Sequence, residues 1–307
     1  MHVLVTGVGG FVGLRLARHL LACGDRVSGT YVDARPPLQG VDLYEANLLD
    51  RHALDGAVAA ADPDVIVNLA GLAHIGESWK ERMPDYFWVN VVGTENVLGA
   101  AAGRKVVVVS SADVYGEVPE ECQPIPESRP ISPRSPYALT KAAAERLAFA
   151  AGAVVARSFN LIGPGQSPSF VLPTFAAQLA AIARGEREAV LRVGNLSARR
   201  DFVHVDDGAA AYRLLAAKGE PGGTYNIASG RAFSIEEVLH RMMHVAGVSA
   251  RIETDPEKFR AVDFPLLQGD ASRLRALGWE TRRSLDEALA DLWAEAASPA
   301  RVLATES

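Results

Sequence analysis

The opening residues commit the chain to one kind of architecture. His2-Val-Leu-Val-Thr6 is a short apolar, β-branched run, and it breaks at Gly7-Val8-Gly9-Gly10-Phe11-Val12-Gly13. Leu14, Leu16, Ala17, Leu20 and Leu21 then recur at helical spacing. The pattern predicts strand, glycine turn, helix. In such a unit Gly7 permits the tight turn, Gly10 lets backbone N–H groups approach a pyrophosphate, and Gly13 lets the helix pack on the strand. Phosphates lie at the positive end of the new helix, which Phe11 and Val12 begin. A dinucleotide-binding turn is therefore expected here.

Strands and helices keep alternating as far as residue 160, which predicts a doubly wound parallel sheet of Rossmann type. The second strand is Arg26–Val32. A carboxylate at this strand end ordinarily holds the ribose hydroxyls of NAD. Here Tyr31 stands in that place, Asp33 comes two residues late and Arg35 is close by. A displaced acid near an arginine leaves room for a 2′-phosphate, so NADPH is favoured and NADH stays possible. Asn47 and Leu48, ending a third strand, are expected to flank the adenine. The continuous apolar run 64–71 reads as a parallel strand covered on both faces, whose end at Leu69, Ala70 and Gly71 lets a cofactor lie over it. Asn90 faces away from the apolar stripe of the next helix and is a candidate cofactor contact, although a mid-helix Asn is ordinarily solvated. A fifth strand, Lys105–Val109, delivers Ser110, Ser111 and Asp113 to the carboxyl end of the sheet, where ligand sites of α/β folds lie. Val154–Arg157 is the sixth strand.

After Asn160 the texture changes, with Gly163-Pro-Gly-Gln-Ser-Pro reading as a loop. The expected division is a dinucleotide-binding domain over 1–160 and about 202–233, and a smaller discontinuous α/β substrate domain over 161–201 and 234–307. In the latter, helices are predicted over Phe170–Arg184, Ser234–Ala246 and Ser284–Ala296, and strands over Ala189–Val193 and Arg251–Thr254. Phe202–Asp207 is expected to return to the first domain.

Ser135-Pro-Tyr-Ala-Leu-Thr-Lys-Ala-Ala-Ala-Glu145 reads as a helix opened by Pro136. Tyr137 and Lys141 are four apart and so project from one face, one turn from each other. A phenol beside a fixed ammonium is expected to have its pKa lowered from about 10 towards neutrality, which makes a usable proton donor. The net charge of -6 and the lack of a Lys/Arg run argue against nucleic acid as a partner. No apolar run is long enough to span a bilayer. Cys23 and Cys122 are far apart and neither has metal-ligand spacing around it, so no metal is expected and a reducing, cytoplasmic compartment is.

Together, Gly7-x-x-Gly10-x-x-Gly13, Ser111 and Tyr137-x-x-x-Lys141 resemble the extended short-chain dehydrogenase/reductases, which act on nucleotide-activated sugars. Four blocks, at 110–116, 158–171, 193–202 and 225–230, are most similar to the GDP-6-deoxy-D-mannose reductases. The resemblance implies reduction of a 4-keto nucleotide-diphosphate sugar, with Tyr137, Lys141, Ser111 and Asp113 catalytic and Tyr137 and Lys141 also touching the cofactor. It implies a nucleotide pocket formed by Gly163–Gln166, Phe170 and Val171. Arg200 and Arg260 are implied at the ribose or diphosphate, Asp263 at a ribose hydroxyl, and Asn160 and Ser111 at the sugar or diphosphate. A homodimer is implied too, paired through the helix carrying Tyr137 and the one before it, with Leu139, Ala143, Leu147 and Ala150 compatible. Alternatives within the superfamily are a 4-epimerase, a 4,6-dehydratase or a dTDP-4-keto-6-deoxy-sugar reductase.

Overall fold

The computed structural model describes residues 1–259 and 263–298. β1 (His2–Thr6) is buried along its whole length and ends in the glycine turn before α1 (Phe11–Ala22). β2 (Arg26–Tyr31), β3 (Val41–Glu45), α2 (Arg51–Ala61) and β4 (Val65–Asn68) follow. Then come α3 (Met83–Phe87), a π-helical turn (Trp88–Val92) and α4 (Gly93–Ala100). β5 (Lys105–Ser111), α5 (Pro136–Ala150) and β6 (Val154–Ser158) complete the expected alternation.

These strands and β10 form one seven-stranded sheet, ordered β10-β6-β5-β4-β1-β2-β3 with every pairing parallel. The fold is the Rossmann-type α/β sheet expected from the sequence. Strand order reverses between β1 and β4, and ligands of such sheets bind at that crevice. The two strand ends are tied there, since the Thr6 hydroxyl donates to Asn68 Oδ1 at 2.7 Å and accepts from Ala70 N at 3.2 Å.

The remaining elements are β7 (Asn160–Ile162), α6 (Val171–Ala183), β8 (Val190–Val193), β9 (Arg199–His204), α7 (Val205–Lys218), β10 (Thr224–Ile227), β11 (Ala232–Ser234), α8 (Ile235–Ala246), β12 (Arg251–Thr254), β13 (Leu266–Leu267), α9 (Ser272–Ala276) and α10 (Leu285–Ala297). β11, β9 and β13 form a small sheet that β7 joins through β9, and β12 pairs with β8. A second core gathers here, with Leu172, Phe175, Leu179, Val238, Leu239, Leu289 and Leu292 shut from solvent. Two expectations are corrected. The segment from Phe202 does not go straight back to the first sheet: β9 stays in the small one, and only α7 returns, packing on α1. Ala271, Leu274 and Trp279, expected in the smaller unit, join the larger core, anchored by Trp279 Nε1 donating to Asp207 O. Among the described residues no helix is long and apolar enough to cross a membrane.

Candidate active site

Ser135 caps α5, its side chain accepting from Ala138 N at 3.1 Å, and Pro136 takes the first turn as its fixed φ favours. The helix therefore starts at the carboxyl end of β5 with Tyr137 and Lys141 facing the sheet, both under one-tenth exposed. Behind them on the same face, Glu145 is fully buried and receives two bonds from Arg157, at 2.9 and 2.8 Å.

The phenol is packed edge-on against Tyr86, 6.4 Å between ring centres, and hydrogen-bonds with Ser111. Ser111 in turn donates to Asp113 Oδ2 at 2.9 Å. Lys141 Nζ donates to the Val109 carbonyl at 3.0 Å. The electrostatics reverse one expectation. Burial raises the Tyr137 pKa above its ordinary value, the Asp113 carboxylate adds to the rise, and only the Ser111 hydrogen bond opposes it. Lys141 is itself pushed down to about 8 by burial, against the attraction of Glu145. The phenol thus stands fully protonated at neutral pH.

The glycine turn fits a dinucleotide. Gly7 has φ +65°, and a Cβ there would touch Ala70 at 3.0 Å. A Cβ on Gly13 would lie 2.4 Å from Gly7 O and 2.8 Å from Val8 Cα, so any side chain would force helix and strand apart. At the end of β4, a Cβ on Gly71 would meet Asn90 Oδ1 at 2.9 Å and Lys141 Nζ at 3.3 Å. Ser110 Oγ is buried with no partner among the described residues, an orphan that a bound amide or hydroxyl would satisfy. A backbone cradle, a bare strand end, a lysine and an unpaired hydroxyl suit a nicotinamide dinucleotide.

The structure distributes the other expected residues less uniformly. Leu69 and Ala70 lie half-buried at the end of β4, and Phe11 and Val12 half-buried at the start of α1. Tyr31 is half-exposed, with Asp33 and Arg35 exposed beyond it and Asp33 in the left-handed conformation at φ 60°. Asn47 Oδ1 accepts from Leu49 N, and Leu48 turns into the core. Asn90 is not solvated. The π-helical turn rotates it inward, where it accepts from Leu72 N and donates to Leu72 O and Thr140 Oγ1, clamping the loop after β4 to α5.

Beyond the sheet, beside the second core, lies a cavity of about 620 Å³. Phe170, Val171, Asn160, Arg200 and Asp263 all line it. Arg200 donates to the Arg199 and Phe264 carbonyls and pairs with Asp263, which also accepts from Asn195 Nδ2 at 2.9 Å. Arg260 lies outside the described residues. Gly163–Gln166 does not border the cavity. Arg15 holds Pro164 O, Glu295 accepts from Gly165 N, and Gly165 sits beside Phe11, so the loop belongs to the glycine-turn side. Sequence reasoning missed His74, Trp79, Arg192, Asn195 and Lys258 in the cavity wall. Asn195 lay within the block 193–202 and was the one detectable signal; the others come from irregular segments whose pairing is purely tertiary.

A parallel sheet with this glycine turn, and a Tyr-Lys helix beside a Ser-bearing strand end, define an NAD(P)-dependent oxidoreductase of the extended short-chain type. The chain belongs to the GDP-mannose 4,6 dehydratase family, whose model matches residues 4–292. It is 34% identical to a GDP-6-deoxy-D-mannose reductase of Pseudomonas aeruginosa over 298 residues, 94% of either chain. Among solved structures it resembles RMD from Pseudomonas aeruginosa complexed with NADPH, with TM-score 0.85, 32% identity, and 96% of this chain and 98% of that one covered. A UDP-glucose 4-epimerase of Thermus thermophilus in complex with NAD gives TM-score 0.87 at 28% identity, with 97% and 100% covered.

Proposed function

We propose that the protein reduces the 4-keto group of a nucleotide-activated 6-deoxy sugar, GDP-4-dehydro-6-deoxy-D-mannose, to GDP-D-rhamnose with NADPH. The observation that supports the reading is a buried phenol beside Ser111 and Asp113, the last bordering a small chamber that shares Asn160, Arg200 and Asp263 with a cavity of nucleotide-sugar size. The likeness to the Pseudomonas aeruginosa reductase supports the choice of base, sugar and cofactor.

A nicotinamide dinucleotide held by the glycine turn and the end of β4 would supply hydride to the keto carbon. Tyr137 gives its proton to the oxygen as negative charge develops there. Ser111, whose one proton goes to Asp113 in the resting site, would turn it to that oxygen and stabilise the charge. Lys141, bonded to the Val109 carbonyl and placed beside Gly71, would bond a ribose hydroxyl. Arg200, fixed by Asp263, and the exposed Lys258 both line the cavity and supply cationic donors for a diphosphate. Arg35, past the end of β2, is the cation for a 2′-phosphate. Met83, Phe87, Trp88 and Leu139 are exposed apolar side chains on α3, the π-helical turn and α5. They support a homodimer paired through these helices. The unpaired Cys23 and Cys122 fit a reducing compartment such as the cytoplasm.

The test is to supply GDP-4-dehydro-6-deoxy-D-mannose with NADPH and follow NADPH loss and the configuration at C4. Rapid reduction with a rhamno product is expected. Turnover of GDP-mannose without added reductant, or interconversion of UDP-glucose at C4, would replace the reading with a dehydratase or an epimerase.

A pH dependence follows from Lys141. Its ammonium loses a proton near pH 8, so kcat/KM is expected to fall as pH rises through about 8. Stability moves the other way. Unfolded lysine keeps its proton to about pH 10.4, so between these values the unfolded chain binds more protons and each step up in pH favours the fold. A pH profile of kcat/KM beside denaturant midpoints checks both directions. An activity limb lying only above about pH 10 would contradict the assignment.

A further inference from the structure

The larger cavity has a catalytic end and a far end. Asn160, Arg200 and Asp263 border both it and the small chamber beside Asp113 and Ser135, which places them towards the catalytic helix. Gly194, Glu257, Lys258 and Phe259 border the larger cavity and not the chamber. A nucleotide sugar with its keto group at Tyr137 and its diphosphate at Arg200 therefore extends its base towards these residues.

The far wall is fixed by its own backbone. The short turn Pro256–Lys258 follows β12, and Asp255 N donates to Val193 O at 2.7 Å just beyond the pairing of β12 with β8. The Asp255 side chain caps the turn by accepting from Glu257 N at 3.1 Å, and Lys258 Nζ donates to Arg192 O at 2.8 Å. A Cβ on Gly194 would lie 2.6 Å from Lys258 O, so the turn sits directly on the end of β8. Two groups here are left over. Among the described residues the acids bordering the cavity are Asp263, taken by Arg200 and Asn195, and Glu257, whose carboxylate has no hydrogen bond or ion pair. Phe259, two residues on, is a large apolar side chain left 53% exposed.

We infer that Glu257 reads a guanine base and that Phe259 stacks on it. The inference deepens the keto-reductase reading and rests on it for the placing of the sugar. Guanine carries N1–H and N2–H2 side by side on one edge, so a carboxylate accepts both as a charge-assisted pair. Uracil and thymine flank their one N–H with carbonyl oxygens, and adenine has a bare ring nitrogen in place of N1–H. Each of these sets a lone pair against the carboxylate, which selects against it. Every base has a π-face, so Phe259 adds affinity without choice.

The test is equilibrium binding of GDP, inosine diphosphate, UDP and dTDP to the full chain saturated with NADPH, in the parent, Glu257→Gln and Phe259→Ala. Inosine diphosphate is GDP without its N2 amine. The parent is expected to bind GDP about tenfold or more tightly than inosine diphosphate, the worth of one hydrogen bond to a charged group. Glu257 is exposed, so Glu257→Gln keeps the fold. It is expected to weaken GDP about tenfold and to bring the two affinities within about threefold of each other. Phe259→Ala should weaken all four diphosphates by similar factors and keep the parent's preference; unchanged affinities overturn the stacking. A parent blind to the N2 amine, or a Glu257→Gln variant that keeps the parent's preference, overturns the base reader and leaves keto reduction untouched. Selection through Glu257 in a protein that does not reduce the keto sugar upholds the base site and overturns the proposed reaction instead.

Discussion

Replacing Tyr137 with Phe is expected to lower kcat about 10²- to 10⁴-fold, the span a single positioned general acid supplies. The change removes one oxygen and leaves the ring, so the edge-on contact with Tyr86 and the packing of α5 persist. The lost hydrogen bond to Ser111 costs about 1 kcal/mol of stability, too little to unfold the enzyme. KM should stay near the parent's, because the cavity walls that would hold the nucleotide lie on other segments. Single-turnover oxidation of the reduced cofactor isolates the chemical step. A variant reducing keto sugar within twofold of the parent would remove Tyr137 from the mechanism.

The second large effect is on stability. Glu145→Ala leaves the Arg157 guanidinium buried without its carboxylate, and breaking a buried pair in this way costs about 3–5 kcal/mol. Arg157 cannot swing to water cheaply, since it lies over the Tyr115 ring at 4.8 Å and donates to Glu127 O at 3.2 Å. The double variant Glu145→Leu/Arg157→Met removes both charges and is expected to recover most of the loss. Denaturant midpoints for the parent, both singles and the double give the coupling. Singles within about 1 kcal/mol of the parent would show the pair to be dispensable. Lys141 should respond as well, because Glu145 is the charge that offsets its burial.

The sequence made the larger sheet legible because its strands are continuous apolar runs and its first turn needs glycines at fixed spacing. Ser111, Tyr137 and Lys141 were legible for the same local reason: a strand end and an i, i+4 pair. What failed was tertiary. A phenol next to a lysine suggests a lowered pKa, but burial and Asp113, two residues from Ser111, decide the sign. Asn90 looked solvated on a regular helix, and one wide turn at 88–92 rotates it inward. β7, β11 and β13 span two or three residues each, too short for alternation to register. The pairing of Arg200 with Asp263 joins residues 63 positions apart, and nothing local announces it.

The path of the chain between its cores bears on how the cavity can open. It leaves the larger core after β6, comes back for α7 and β10, departs for β11 through β13, returns for α9, and departs again for α10. A molecule laced this many times has no single swivel. Wide clamshell opening would strain several crossings together, so admission of a ligand is confined to small sliding adjustments along the seam. A cut in one crossing would leave the halves sewn by the others.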